Sequence, residues 1–113
     1  MVQRFRLIVE AEGCRTLSLK ECSEFMNSLA ATLQVHEVGR LQSDKKHGIT
    51  ILMKYLESSA VLRTWPEHEF MSLDIFLSKE FYPELVQALV LHWFEPRDIK
   101  TLLPTWGSDE TNP

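Results

Sequence analysis

Glu57-Ser58 is the pair in this chain best placed to do covalent chemistry. It lies between two apolar segments that read as strands, Ile49 to Leu56 and Ala60 to Trp65. A tight turn between strands can hold a strained peptide. A serine hydroxyl in such a turn can attack the carbonyl of the residue before it. The resulting ester can lose the serine Cα proton, eliminate, and hydrolyse to a pyruvoyl group. That group captures a substrate amine and acts as an electron sink for decarboxylation, as other carbonyl cofactors do. Taken alone, Glu-Ser in a turn is commonplace, and an ordinary hairpin is the simpler account.

Other chemistry finds less support. His36, His47, His68 and His92 show no paired spacing for zinc. His68 follows Glu67 near the candidate site and is the histidine to watch, although an exposed loop histidine explains it too. Cys14 and Cys22 make neither a disulfide framework nor a ligand pair and read as packing residues. Gly13, Gly39, Gly48 and Gly107 form no phosphate-binding loop. The basic cluster Lys45-Lys46-His47 is too short to track a phosphate backbone, and the net charge of -4 argues against nucleic acid as a partner. No apolar run approaches the ~18–20 residues of a membrane span. The N-terminus lacks the long apolar core of a signal peptide. A reduced, cytoplasmic setting fits these features.

The elements that must position the pair follow from periodicity. With 113 residues the chain is one domain, assigned to residues 1–106, with a polar tail over 107–113. Arg4 to Glu10 alternates as a strand, with Phe5, Leu7 and Val9 on its apolar face. Ser18-Leu19-Lys20-Glu21 has the form of a capping box. The helix it starts runs to about Gln34, with a stripe of Leu19, Cys22, Phe25, Met26, Leu29 and Leu33. Val35 to Leu41 reads as a strand and Ser43 to Gly48 as a polar loop. Ile49, Ile51, Met53 and Tyr55 share one face of the next strand. Ala60 to Trp65 and Phe70 to Leu77 follow, with Pro66 between them, where no ladder needs its amide. A second helix begins near Glu80, buries Leu85, Val86, Leu89, Val90 and Trp93, and stops before Pro96. Ile99 to Leu103 is a last short strand. The order β-α-β-β-β-β-α-β with short links predicts an α+β fold: a two-layer sandwich, mainly antiparallel, with two helices on one face.

The stretch from Tyr55 to Glu67 resembles the self-processing region of the bacterial-type S-adenosylmethionine decarboxylases, enzymes of polyamine synthesis. Glu57-Ser58 and Thr64-Trp65-Pro66-Glu67 stand in that family's register. The resemblance covers the chain from the first strand to the second helix and implies the same two-layer fold. It implies that Ser58 is the precursor of a pyruvoyl cofactor, released by cleavage after Glu57. The family's Gly-Val-Ser-Gly run reads Gly48-Ile49-Thr50-Ile51 here, which puts Thr50 where a hydroxyl assists the ester. If the flanking strands pair directly, Thr50 lies opposite Trp65 and shares a face with Arg63, close to the scissile bond.

Several positions depart from the family. Arg63 replaces a histidine that assists processing, and a guanidinium stays protonated and cannot act as a base. It can instead stabilise an oxyanion or bind a carboxylate. Ser78 replaces the cysteine that protonates carbon after CO₂ leaves, and a hydroxyl is a far weaker acid than a thiol. Asp44 stands where an aromatic residue stacks adenine, and Ser59 replaces the histidine after the precursor serine. Glu67 matches the ribose-binding glutamate. Trp65 belongs to the substrate side of the same motif or simply builds the turn. Asp74 reads as a structural acceptor.

Three functions follow. The first is a diverged pyruvoyl-dependent carboxy-lyase acting on an amino acid such as arginine or ornithine, with Asp44 for a basic side chain and Arg63 for a carboxylate. The second is a non-catalytic, unprocessed relative that partners or regulates an active decarboxylase. The third is S-adenosylmethionine decarboxylation itself. A homodimer is implied by the resemblance.

Overall fold

The computed structural model describes residues 4–103; the expected polar tail and Trp106 lie outside the described residues. The strands are β1 (Phe5–Glu12), β2 (Glu37–Lys45), β3 (Gly48–Tyr55), β4 (Ser58–Trp65), β5 (Phe70–Leu77) and β6 (Asp98–Leu102). The helices are α1 (Leu19–Leu33) and α2 (Pro83–Phe94), with a 3-10 turn at Pro66–His68. The strands form one six-stranded sheet in the order β2-β3-β4-β5-β1-β6. Every pairing is antiparallel. The α+β architecture and the order of elements are those the periodicity predicts.

Alternation decides which side of the sheet is covered. Leu7, Val9, Ile51, Met53, Ala60, Leu62, Leu73 and Ile75 are fully or almost fully buried on one face. Both helices pack on that face. From α1 come Cys22, Phe25, Met26 and Leu29, and from α2 Val86, Val90 and Phe94. Phe25 meets Phe94 edge-on, with ring centroids 5.1 Å apart. Among the described residues, no helix packs on the opposite face. Its apolar residues, Ile8, Leu52, Val61 and Phe76, are half-buried. Arg6 spans it with a two-pronged bond to Asp74, at 3.1 and 2.7 Å. Asp74 is therefore a structural acceptor in this chain.

The capping box forms as expected. The Ser18 hydroxyl accepts from the Glu21 amide at 3.1 Å, and the Glu21 carboxylate accepts from the Ser18 amide at 2.9 Å. Two local expectations are corrected. Ser43, Asp44 and Lys45 are strand, not loop, because β2 runs on to Lys45. They are polar because β2 is an edge strand whose residues are mostly exposed, so its sequence lacks an apolar face. The Arg40 guanidinium fastens this edge to α1 through Ser23 and Asn27. In α2, which starts at Pro83, Leu85 is 49% exposed and Phe94 is buried instead, since the buried stripe runs through Val86, Val90 and Phe94 at four-residue spacing. Cys14 and Cys22 are free and buried.

Candidate functional site

The hairpin between β3 and β4 is built around the scissile candidate. Tyr55 pairs with Ser58, which leaves Leu56 and Glu57 as a two-residue turn. Hairpin turns this short normally put glycine or asparagine at positive φ. Here Glu57 holds φ 59°, in the left-handed region. A side chain with a Cβ pays about 1–2 kcal/mol for that conformation. The strain sits on the residue whose carbonyl would be attacked. Ser58 follows as the first residue of β4 and is only 5% exposed. Its Oγ accepts a hydrogen bond from the Ser78 backbone amide at 3.0 Å, just beyond the end of β5. The hydroxyl is thus buried and held by one donor, with its own proton left to donate. Ser78 enters through its backbone in this contact.

Lys54, which the residue pattern did not single out, completes this end of the sheet. Its ammonium donates to the carbonyl of Tyr55 at 2.8 Å and reaches that of Ser58 at 3.5 Å. The signal for it was positional. A lysine next to a residue that opens a two-residue turn has a side chain long enough to reach the turn carbonyls.

The remaining candidates lie elsewhere. Thr50 is paired with Arg63, not with Trp65. The two do share the open face of the sheet, as expected. Arg63 is five residues along β4 from Ser58, which at ~3.3 Å per residue is roughly 16 Å. Neither Thr50 nor Arg63 is near the scissile bond of its own chain. The expected register paired Thr50 two residues too far along because the turn is Leu56–Glu57, and the spacing along the strands keeps both residues from the bond in either register.

Trp65 and Glu67 lie at the far end of β4 and just past it. The rings of Trp65 and Phe70 are 5.3 Å apart and tilted. Both border an open pocket of about 460 Å³ with Glu12, Gly13, His68 and Arg97. His68 is exposed here and does not approach Ser58. The Glu67 carboxylate is held below its ordinary pKa, first by its own backbone amide, then by His47 and His68. His47 Nδ1 lies 3.4 Å from Glu67 Oε2. Gly48 locks this end: at φ 143° its backbone passes so close to Thr64 that a Cβ would stand 1.8 Å from the Thr64 carbonyl oxygen.

Asp44 pairs with Ile49, on the helix-covered side of the sheet, and its charge is felt by Cys22 of α1. Arg63 is on the other face. The expectation that Asp44 and Arg63 grip two ends of one small substrate is not met within this chain. Among the described residues, no three His, Cys, Asp or Glu side chains converge as metal ligands. No described helix is long and apolar enough to cross a membrane.

The candidates thus fall into two groups. Glu57, Ser58, Ser78 and Lys54 meet at one end of the sheet. Thr50, Arg63, Trp65 and Glu67 follow one another toward the other end.

Comparison with known proteins identifies the family and the fold. The family described as S-adenosylmethionine decarboxylase matches residues 6–103. The crystal structure of the adenosylmethionine decarboxylase from Aquifex aeolicus VF5 superposes with a TM-score of 0.76 at 13% identity, over 91% of this chain and 89% of that one. No curated protein matches the chain by sequence. The match to the family runs through the hairpin, the buried serine and both helices, and on it the chain belongs to the S-adenosylmethionine decarboxylase family.

Proposed function

We propose that this chain is a self-processing decarboxylase, cleaved between Glu57 and Ser58, with Ser58 as the source of a pyruvoyl group. The observation that carries the reading is the hairpin itself. A left-handed, non-glycine Glu57 precedes a buried Ser58 whose Oγ is oriented by the Ser78 amide. The residues present fit the group: a serine directly after the turn, buried against the side of the sheet that the helices cover. Once formed, the pyruvoyl group would supply the electron sink for loss of CO₂. The chain's own residues would bind and orient the substrate. Arg63, exposed on the open face, suits a carboxylate. Glu67, kept ionised, suits the hydroxyls or the cationic end of a substrate. We favour an amino acid such as arginine or ornithine, with Glu67 in the role first expected of Asp44. S-adenosylmethionine itself would have to bind without the stacking aromatic.

The split of the candidates into two groups supports a homodimer. If the open sheet faces of two copies pack about a two-fold axis, the Ser58 end of one protomer can meet the Arg63 end of the other. The half-buried Ile8, Leu52, Val61 and Phe76 would be covered in the same step.

One observation favours a second reading. Ser78 meets Ser58 through its amide, and among the described residues the Ser58 Oγ has no hydrogen bond to a side-chain acid. An unprocessed relative that partners or regulates an active decarboxylase fits that. Measuring CO₂ release from arginine, ornithine and S-adenosylmethionine by the purified protein separates the readings. Turnover of any one supports the enzyme. Absence of turnover from a fully cleaved protein rejects these substrates, and absence together with an intact chain supports the partner.

A further inference from the structure

Lys54 lies on β3 immediately before Tyr55, paired across the hairpin with Ser59. Its ammonium donates to the Tyr55 carbonyl, two residues before the Glu57–Ser58 bond, and lies 3.5 Å from the Ser58 carbonyl oxygen, just after that bond. We propose that Lys54 stabilises the charge that builds on the Ser58 carbonyl oxygen during the second stage of self-cleavage. This rests on the reading above that the Glu57–Ser58 bond opens.

The steps show where charge falls. First, Ser58 Oγ bonds to the Glu57 carbonyl carbon, the Glu57–Ser58 C–N bond breaks, and the freed nitrogen takes the hydroxyl proton. Next, a base removes the proton from Ser58 Cα. The electron pair of that C–H bond forms the Cα–Cβ double bond, the Cβ–Oγ bond breaks, and Glu57 leaves as a carboxylate. The remaining enamine tautomerises, and one water replaces its nitrogen, which departs as ammonia. While the Cα proton leaves, negative charge spreads onto the Ser58 carbonyl oxygen. A cation beside that oxygen makes the Cα–H more acidic.

Lys54 is placed for this and Arg63 is not, since Arg63 is roughly 16 Å along its strand from Ser58 in the same chain. The ammonium of Lys79 is engaged elsewhere, with the Gln34 carbonyl at 2.8 Å. At 3.5 Å the bond to the Ser58 oxygen is long in the resting chain. Such bonds tighten as the acceptor gains charge. A merely structural lysine would hold the turn through the Tyr55 carbonyl and act on no particular stage.

The test follows the stages separately. Full-length wild-type protein and the K54M, K54R and S58A variants are incubated, and intact masses are read with and without hydroxylamine, which cuts the ester but not the amide. We expect K54M to accumulate the hydroxylamine-sensitive ester. Its pyruvoyl-ended fragment should form roughly 10–100-fold more slowly, the rate equivalent of one hydrogen bond to a charged group. K54R should recover most of the rate, and S58A should form no ester. If K54M does not fold, K54Q carries the same expectation. Pyruvoyl formation at the wild-type rate in K54M overturns the proposal, as does slowing with no ester. A wild-type chain that stays whole rejects the self-cleaving reading itself, and the role of Lys54 with it.

Discussion

Glu57 is the residue at which fold and chemistry are in tension. Its φ of 59° suits glycine, yet a glutamate occupies it. Relief of that strain on cleavage gives the bond a reason to break that an ordinary hairpin lacks. Glu57→Gly, made in an S58A background so that nothing is cut, should therefore raise stability by about 1 kcal/mol in urea unfolding. With Ser58 present, the same change should slow cleavage. Unchanged stability would show that the turn holds no strain. Ser58 was legible as the candidate from the residues around it, because Glu-Ser and Thr-Trp-Pro-Glu keep a fixed spacing. Lys54 was not, because its contact is with backbone oxygens and leaves no mark in residue type.

The β2–β3 hairpin shows how an element end depends on one glycine. A Cβ on Gly48 would stand 1.8 Å from the Thr64 carbonyl oxygen, and the φ of 143° excludes most side chains. Gly48→Ala should cost at least about 1–3 kcal/mol and disturb Thr64, Trp65 and Glu67 together. Equilibrium unfolding measures the loss, and a variant as stable as the parent would contradict it. Helix α1 was readable because a capping box and an apolar stripe agree on its start and face. The strand β2 was only half readable. Its second half, Ser43 to Lys45, is an exposed edge, and exposure removes the alternation by which a strand is recognised. The register of β3 against β4 was not readable at all from composition. It is set by turn length, and moving Thr50 from Trp65 to Arg63 changes partners without changing faces.

At the scale of the molecule, burial holds three acidic protons in place. It pushes the Cys14 thiol up to about 11, Cys22 to about 12 and the Tyr55 phenol to about 12. Unfolded, thiols titrate near ~8.5 and tyrosine near ~10. Above those values the folded chain binds more protons than the unfolded one. Stability is thus fully present below about pH 8 and falls as pH rises through the folded values. Melting temperatures taken from pH 7.5 to 10.5 should fall, and a flat profile would contradict the buried, protonated state. Both thiols should also resist alkylation at pH 8 until the chain unfolds.

The separation of Arg63 from Ser58 within one chain makes a molecular prediction as well. Restoring a base by Arg63→His should speed self-cleavage by ~10²–10⁴ if the dimer forms, the range for a general base. The gain should fade on dilution below the dimerisation range. A gain independent of concentration would place the base within one protomer and reject the paired-sheet arrangement.

The central claim is that the Glu57–Ser58 bond opens itself. Intact-mass spectrometry of the purified protein after long incubation tests it most directly. Two fragments are expected, the first ending at Glu57 and the second beginning with a pyruvoyl group in place of Ser58. A single chain of full mass with Ser58 unmodified would contradict it.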